Sequence, residues 1–272
     1  MNFIKCGVIG HPIAHSKSPL IHNHWIKKYN LSGEYRAIDI GPDNLKHSVQ
    51  RLIDEEYTGF NVTVPHKQAI FDLCSEVDQT AEHIGAVNTV IVRDGKLFGT
   101  NTDAYGFIEN LKQNARGVDF GGKIFVLGAG GAARAVVYGL IEAGAQNIVI
   151  TNRTVEKSWE LCTINPDIVK YVEWDVRNAE LEGSALLVNT TSLGMKGKPP
   201  LEIDLSALPV SAVVNDIVYA PLMTDLLVQA QNRGNKVVTG IGMLLHQARP
   251  AFEKWFGVLP GVDSELEKKV LA

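Results

Sequence analysis

The feature that most constrains the fold is a glycine-rich turn between an apolar strand and an alanine-rich helix. Gly128-Ala129-Gly130-Gly131-Ala132-Ala133 follows the apolar segment Lys123–Leu127 and opens the helix. The run fits the pattern GxGxxG/A: its first glycine permits a tight turn, its second admits a pyrophosphate, and its small last residue lets helix and strand pack closely. The N-terminus of a helix attracts phosphate, so the run predicts a dinucleotide site. Close packing of a helix is the alternative explanation of such a run.

The residues after the next predicted strand indicate which dinucleotide binds. An NAD enzyme usually carries Asp or Glu about 20 residues after the glycine turn, where it accepts from the ribose hydroxyls. Here the strand ends in Asn152, Arg153 and Thr154, with Lys157 one helical turn further on. Arg153 and Lys157 can neutralise a 2′-phosphate, and Asn152 and Thr154 can donate neutral hydrogen bonds. This pattern favours NADP over NAD, with an ordinary charged surface loop as the alternative.

Hydrophobic periodicity predicts alternating strands and helices, with a second series starting after Gly117–Gly122. Alternating units of this kind indicate the α/β class and a parallel sheet. The predicted strands are Phe3–Ile9, Tyr35–Ile40, Phe60–Val64, Ala86–Val92, Lys96–Gly99, Lys123–Leu127, Asn147–Thr151, Leu186–Asn189, Val213–Ile217 and Lys236–Thr239. The predicted helices include Pro19–Tyr29, Pro42–Glu55, Lys67–Leu73, Asp103–Gln113 and Met243–Phe256, and Arg93-Asp94-Gly95 is predicted to close a hairpin.

Length and composition set outer limits on the function. A chain of 272 residues with 45% hydrophobic residues is long enough for two domains. A formal charge of −4 gives no electrostatic reason to bind nucleic acid or an anionic membrane. The three cysteines are too few for a disulfide framework. No segment reads as a signal peptide or a membrane span, and no cluster has metal-ligand spacing, so we expect a cytoplasmic protein without a metal.

Polar clusters in the first half offer groups for binding a small ligand. Ser16 and Ser18 are two residues apart, so both hydroxyls can face one side of an extended loop. Ser-Pro also occurs where a helix begins, and a capping role for Ser18 is favoured by spacing alone. On the predicted strand Phe60–Val64, period-2 alternation places Asn61 and Thr63 on one face.

Three further residues complete this set. Lys67 begins a predicted helix, where positive charge is unfavourable, and this mismatch hints at a role beyond an exposed structural lysine. Asn88 lies inside an apolar strand, and Asp103 begins a helix, where capping is the most frequent role of aspartate. Together the clusters supply an amine, a carboxylate and several neutral groups, which suits a small polyhydroxylated acid.

These clusters carry a family resemblance that covers essentially the whole chain. The segments GxPxxHSxSPxxHN, NVTVPHK, GAVNT, GxNTDxxGF, GAGGAARA, NRTxxK, NTTSLGM and DIVYxPxxT resemble shikimate dehydrogenases in type and order. The resemblance implies an α/β protein with two domains: a mixed α/β substrate domain, residues 1–103 and 243–272, and a Rossmann-type doubly wound NADP domain, residues 104–242. The last helix would return to pack on the first domain.

The resemblance also implies roles for individual residues. Lys67 and Asp103 would be catalytic, and the sequence leaves open whether Lys67 is a true acid/base or mainly an electrostatic anchor. The substrate would be held by Ser16, Ser18, Asn61, Thr63, Lys67, Asn88, Asp103, Tyr219 and Gln247. The cofactor would be held by Gly128, Ala129, Gly130, Gly131, Ala132, Asn152, Arg153, Thr154, Lys157, Thr191, Ser192, Ile217, Gly240 and Met243.

The implied activity is the NADPH-dependent, reversible reduction of 3-dehydroshikimate to shikimate in aromatic amino-acid (chorismate) biosynthesis. The cofactor would be NADP, the partner a small-molecule substrate, and the protein a monomer or homodimer. Three alternatives stay open: a quinate/shikimate dehydrogenase that accepts NAD, a folate-linked dehydrogenase of similar architecture, and a non-catalytic dinucleotide-binding module. The basic Asn152-Arg153-Thr154 run disfavours the first, the Asn-Thr-Asp motif the second, and intact Lys67 and Asp103 the third.

Overall fold

The computed structural model describes residues 3–272, which divide into two compact units. The first unit runs to Thr102 and includes Gln247–Ala272, and the second is Asp103–His246. The sequence-based boundaries at 103/104 and 242/243 lie within a few residues of this division. No helix of residues 3–272 combines the length and the apolar character that crossing a membrane requires.

The first unit is built on a mixed six-stranded sheet with the strand order β2-β1-β3-β5-β6-β4. β1, β2 and β3 are parallel, whereas β5 pairs antiparallel with both β3 and β6. Its strands are β1 (Ile4–Gly10), β2 (Gly33–Asp39), β3 (Gly59–Val62), β4 (Glu76–Val77), β5 (Thr89–Arg93) and β6 (Lys96–Thr100). Its helices are α1 (Ser18–Lys28), α2 (Leu45–Asp54), α3 (Gln79–Ile84) and, after the second unit, α9 (Ser264–Leu271).

The predicted hairpin is confirmed. Arg93 pairs with Lys96, which leaves Asp94 and Gly95 as a two-residue turn between β5 and β6. Both turn residues have positive φ, 50° and 72°, as a turn of this handedness requires.

The predicted helix Lys67–Leu73 is wrong. The chain makes successive turns there, and only Phe71–Leu73 forms a short 3₁₀ segment. The carbonyl of Lys67 accepts from the Val87 amide at 2.9 Å, and not from the Phe71 amide as an α-helix would require. The Phe71 amide donates instead to Gln68. A long-range hydrogen bond therefore replaces the helix, and Lys67 does not lie at a helix N-terminus.

The second unit contains a parallel six-stranded sheet with the order β12-β11-β10-β7-β8-β9. This is the strand order of a doubly wound dinucleotide-binding fold, as the sequence predicts. Its strands are β7 (Lys123–Leu127), β8 (Ile148–Thr151), β9 (Val169–Tyr171), β10 (Ser184–Asn189), β11 (Val213–Asp216) and β12 (Lys236–Val238). Its helices are α4 (Asp103–Asn114), α5 (Gly131–Glu142), α6 (Val155–Cys162) and α7 (Asp225–Arg233); α8 (Ile241–Phe256) begins in this unit and ends in the first.

Both faces of this sheet are covered by apolar side chains. Along β7, Ile124 and Val126 face one cluster, whereas Phe125 and Leu127 face the other. All four are fully buried. A strand buried on both faces reads as a continuous apolar run, and this property made the strand detectable in the sequence.

One glycine of the first unit leads to a stability prediction. The Trp255 indole lies against Gly59 and donates to the Val90 carbonyl at 3.1 Å, so a Cβ at residue 59 would overlap both groups. We expect Gly59→Ala to lower the free energy of unfolding by about 1–3 kcal/mol, the usual cost of overpacking. Gly41 has no atom near its Cβ direction and an ordinary extended backbone, so Gly41→Ala is the matched control. Equal urea midpoints for the two variants would contradict this packing account.

Candidate active site

A cleft of about 270 Å³ lies at the carboxyl edge of the second unit's sheet. Its walls are the segments that follow β7, β8, β9 and β10. Ligands of open parallel sheets bind at this edge, where the strand order reverses. The cleft is lined by Gly128, Ala129, Gly130, Asn152, Arg153, Thr154, Lys157, Trp174, Thr190, Thr191, Ser192 and Leu193. Nine of these residues belong to the predicted cofactor set.

The glycine turn leaves room for a ligand next to the backbone. Gly128 has φ of 102°, and a Cβ there would lie 2.7 Å from Thr190 Oγ1, so only glycine fits. At Gly130 and Gly131 the Cβ direction is open space. Gly130 precedes the first turn of α5, which contains no acidic residue. Open backbone at a helix N-terminus is the geometry that accepts a pyrophosphate, so these residues fit a dinucleotide.

The charge of the cleft is positive. Arg153 and Lys157 are exposed, and the lining contains no acidic side chain. No carboxylate among residues 3–272 pairs with either cation. Asn152 Nδ2 donates to the Thr154 carbonyl at 2.9 Å, which holds the loop that presents Arg153. The cleft can therefore bind an anionic group outside the sheet edge.

Sequence reasoning missed three lining residues: Trp174, Thr190 and Leu193. Thr190 and Leu193 stand inside the quoted NTTSLGM segment, which offered a signal for them. Trp174 follows β9, a strand of three residues that the periodicity did not reveal. Its ring is stacked on the guanidinium of Arg177 at 4.5 Å, which fixes its position.

Five predicted cofactor residues do not line the cleft. Gly131 and Ala132 begin α5 behind the turn. Gly240 packs against the Ile217 backbone so closely that a Cβ would overlap the Ile217 carbonyl. Met243 belongs to the buried apolar cluster against which Ile217 packs. Ile217, Gly240 and Met243 thus lie together, beyond the ends of β11 and β12.

A buried carboxylate ties the loops after β10 and β11 together. Asp216 accepts from Asn189 Nδ2, the Val218 amide and Thr224 Oγ1 at 3.0, 3.0 and 2.7 Å. Burial raises the pKa of Asp216, and the three donors oppose that effect. Asn189 Oδ1 in turn accepts from the Thr191 amide and hydroxyl. Asp216 therefore holds the loop that carries Thr191, a role that no sequence pattern predicted.

In the first unit, the predicted substrate residues Asn61 and Asn88 belong to one buried hydrogen-bond network. Asn61 Nδ2 donates to the Asn88 carbonyl at 3.2 Å and to Thr89 Oγ1 at 3.0 Å. Asn88 Oδ1 accepts from the Thr102 amide at 2.9 Å, and Asn88 Nδ2 donates to Thr102 Oγ1 at 3.1 Å. Thr102 immediately precedes Asp103, so Asn88 fixes the chain at the point where it reaches that carboxylate.

The segment around Lys67 is held by its backbone and by one imidazole. The Thr63 amide donates to the Ile9 carbonyl at 3.0 Å, and the Lys67 carbonyl accepts from Val87. His66 is buried, and its Nε2 bonds the Ile40 carbonyl at 2.6 Å. Thr63 and Lys67 are both half-buried, so their side chains are partly accessible to solvent.

The expectation that Ser18 caps a helix is wrong. α1 begins at Ser18 itself, and Lys17 holds the cap position without a side-chain bond. Ser16 Oγ accepts from the Ser18 amide at 3.3 Å, so Ser16 takes part of that role. Asp103 likewise is the first residue of α4 and does not occupy the cap position, which precedes the helix.

Tyr219 follows β11, where burial raises its pKa, and Gln247 lies on α8 at the return to the first unit.

His22 lies behind the network, in an aromatic cluster. Its ring stacks on Tyr35 with centroids 4.1 Å apart and an interplanar angle of 4°. Neither ring nitrogen has a hydrogen-bond partner among the described residues. Burial lowers the pKa of His22 from 6.5 to about 3, against a smaller opposing effect of the Asn61 side chain. His22 is therefore neutral in the folded protein.

No group of His, Cys, Asp and Glu within residues 3–272 is placed to hold a metal ion.

Three family models match successive parts of the chain. Residues 8–90 match the shikimate dehydrogenase substrate binding domain, and residues 111–193 match shikimate / quinate 5-dehydrogenase. Residues 240–264 match the shikimate 5'-dehydrogenase C-terminal domain. The chain belongs to the shikimate dehydrogenase family.

Relatives of known name and structure agree with this assignment. A shikimate dehydrogenase (NADP(+)) of Paramagnetospirillum magneticum is 49% identical over 98% of this chain and 97% of its own length. The crystal structure of shikimate 5-dehydrogenase from Thermus thermophilus, in complex with NADP(H) and shikimate, superposes with a TM-score of 0.88 at 36% identity, covering 98% of both chains. A quinate dehydrogenase of Corynebacterium glutamicum in complex with NAD gives a TM-score of 0.93 at 30% identity, covering 99% of both chains.

The low pKa of His22 predicts how stability depends on pH. Above pH 6.5, His22 is neutral in both the folded and the unfolded chain. As the pH falls below 6.5, His22 binds a proton in the unfolded chain, whereas in the folded chain it stays neutral until about pH 3. The folded state thus loses stability throughout this window. Between pH 7 and pH 5 this residue should remove about 2 kcal/mol from the free energy of unfolding.

His22→Phe keeps the stacking and abolishes the titration. We expect the loss of stability between pH 7 and pH 5 to be about 2 kcal/mol smaller in this variant than in the wild type, as measured by urea unfolding. His47 is exposed on α2, so His47→Gln is the control and should behave as the wild type. An identical pH dependence in all three proteins would show that His22 titrates normally in the folded state.

Proposed function

We propose that this chain catalyses the NADPH-dependent, reversible reduction of 3-dehydroshikimate to shikimate in aromatic amino-acid biosynthesis. The observation that carries the proposal is the pairing of two sites within one family member. One is a positively charged cleft with an open glycine backbone, and the other is a buried amide and hydroxyl network beside Lys67. The first suits NADP and the second suits a small acid with several hydroxyl groups.

The choice of cofactor rests on the end of β8. This strand ends at Thr151, and the next residues offer an amide, a guanidinium and a hydroxyl but no carboxylate. A carboxylate there would accept from the ribose hydroxyls of NAD and repel a 2′-phosphate. Arg153 and Lys157 attract that phosphate. The related quinate dehydrogenase was solved with NAD, so an NAD-dependent quinate dehydrogenase is the alternative that this loop disfavours.

The residues that we propose to hold the substrate lie mostly in the first unit. Ser16 and Ser18 supply hydroxyls at the start of α1, and Asn61, Thr63 and Asn88 supply amide and hydroxyl groups around β3 and β5. Tyr219 and Gln247 are the remaining proposed contacts. The network holds Asn61 and Asn88 in fixed orientations before a ligand arrives, and such preorganisation lowers the entropic cost of binding.

The chain's own part in the reaction is orientation and proton transfer. Bound NADPH supplies the hydride for the carbonyl carbon. Lys67 would give a proton to, or electrostatically hold, the oxygen of that carbonyl, and Asp103 would bind a neighbouring hydroxyl. In the reverse direction, Lys67 would take the proton from the hydroxyl that becomes the ketone.

We place the enzyme in the cytoplasm and expect a monomer or homodimer acting on a small molecule. The unpaired state of Cys6, Cys74 and Cys162 fits a reducing compartment. Burial raises the pKa of all three thiols, so none is activated as a nucleophile.

Exchanging the charge at Arg153 should change the cofactor preference. We expect Arg153→Asp to raise the KM for NADP⁺ about tenfold or more with little change in kcat, because the contact lies far from the reacting carbon. The measurement is shikimate oxidation with NADP⁺ and with NAD⁺ as acceptor. Arg116 is exposed in the same unit outside the cleft, so Arg116→Asp is the control. Equal use of both cofactors by the wild type would refute the assignment of this loop.

Removing the amine of Lys67 should slow the chemical step. We expect Lys67→Ala to lower kcat by about 10²-fold or more, with the Kd for NADP⁺ unchanged. Asp103→Asn keeps the shape without the charge and should impair both KM for shikimate and kcat. If both groups serve one step, the losses in the double mutant should be smaller than the product of the single losses.

The control is Lys46→Ala, which removes an exposed lysine from α2 of the same unit. Circular dichroism and thermal unfolding verify that each variant is folded. Near-normal turnover in a folded Lys67→Ala variant would return Lys67 to the role of a structural surface lysine.

A further inference from the structure

Two motif residues without a role in the proposed reaction, His22 and Asn23, both hold Tyr35. Asn23 Oδ1 accepts from the Tyr35 amide at 3.0 Å, and Asn23 Nδ2 donates to the Tyr35 carbonyl at 2.8 Å. This pair of bonds fixes the Tyr35 backbone at the edge of the sheet. The ring of His22 stacks on the Tyr35 ring and fixes its plane. Two consecutive side chains of α1 thus immobilise one tyrosine of β2.

The register of the sheet directs this tyrosine toward Asn61. Cys6 of β1 pairs with Tyr35 on one side and with Gly59 on the other, so Tyr35 and Gly59 share a face. Asn61 lies two residues beyond Gly59 and therefore faces the same way. Gly59 has no side chain to block the path. The Tyr35 hydroxyl reaches Asn61 Oδ1 at 2.6 Å, and both residues are almost fully buried.

These contacts decide which way the Asn61 amide points. Both Nδ2 hydrogens have acceptors, the Asn88 carbonyl and Thr89 Oγ1, while Oδ1 accepts from Tyr35. If oxygen and nitrogen were exchanged, Oδ1 would face the Asn88 carbonyl, and two acceptors would oppose each other. The remaining capacity of Asn61 is one lone pair on Oδ1. Asn61 in this orientation can accept a hydrogen bond from a ligand but cannot donate one to it.

We propose that Tyr35 is a positioning residue that fixes Asn61 as an acceptor for a substrate hydroxyl. The proposal rests on the proposed function, which assigns Asn61 to the substrate. Burial raises the pKa of Tyr35 well above its ordinary value, so the phenol keeps its proton and stays a donor. The side chain of Ser18, a second proposed substrate residue, opposes this rise in the pKa. We expect His22 and Asn23 to act on binding through Tyr35, which both residues hold.

Tyr35→Phe tests the proposal because it preserves the ring and its stacking on His22. We expect the KM for shikimate to rise about tenfold, the upper range for one neutral hydrogen bond. The kcat should stay within about twofold, since the contact exists in both the ground and transition states. The KM for NADP⁺ should not change. Tyr57 is a second buried tyrosine of the same unit, so Tyr57→Phe is the control and should keep the wild-type KM.

A double mutant separates positioning from general structural support. If Tyr35 acts through Asn61, then Tyr35→Phe should raise the KM for shikimate no further in an Asn61→Ala background. A further tenfold rise in that background would overturn the proposal, because Tyr35 would then act by another route. An unchanged KM in the folded single mutant would also overturn it.

A readout without substrate keeps this proposal distinct from the proposed function. The side-chain amide signal of Asn61, assigned in ¹⁵N NMR spectra by its absence in Asn61→Asp, should shift and exchange faster with solvent in Tyr35→Phe but not in Tyr57→Phe. An unchanged signal would overturn the positioning role whatever the substrate. If that signal responds but the wild type neither binds nor oxidises shikimate, the proposed function fails and the orientation of Asn61 by Tyr35 stands.

Discussion

The need to satisfy buried amide groups is the constraint on which the substrate side of this molecule depends. Asn61 and Asn88 are each at most 5% exposed, and neither could remain in an apolar sheet without partners. The protein supplies those partners from Thr89, Thr102 and Tyr35. The resulting network fixes two amides and the chain leading to Asp103. Leaving any one of these groups unpaired would cost free energy. The network is therefore rigid before a ligand arrives.

The cofactor unit uses the opposite arrangement. Its cleft is lined by open backbone at Gly130 and by exposed cations, and little is buried at the contact surface. Buried Asp216 orders this unit's loops, because it ties together the segments after β10 and β11. Backbone amides and flexible cations suit a phosphate group, which offers several acceptor oxygens and negative charge. Directional side-chain amides suit a small ring whose hydroxyls must be told apart.

Local chemistry made much of this structure predictable. A continuous apolar run identified β7, Asp94-Gly95 identified the hairpin, and the glycine run identified the cleft. Where the sequence failed, a distant partner decided the outcome. The Val87 amide takes the carbonyl that a helix at Lys67 would need, and β9 is too short for a periodic signal. Tyr35 reaches Asn61 across 26 residues through the sheet register, and this contact has no local signature.

We infer that these two sites together serve the reduction of 3-dehydroshikimate with NADPH. The most direct measurement supplies the purified protein with both compounds, follows the nicotinamide absorbance, and identifies the product by NMR. Shikimate should form in a one-to-one ratio with the NADPH consumed, and NADH should substitute poorly. A folded protein that consumes no NADPH, or that forms a product other than shikimate, would contradict this inference.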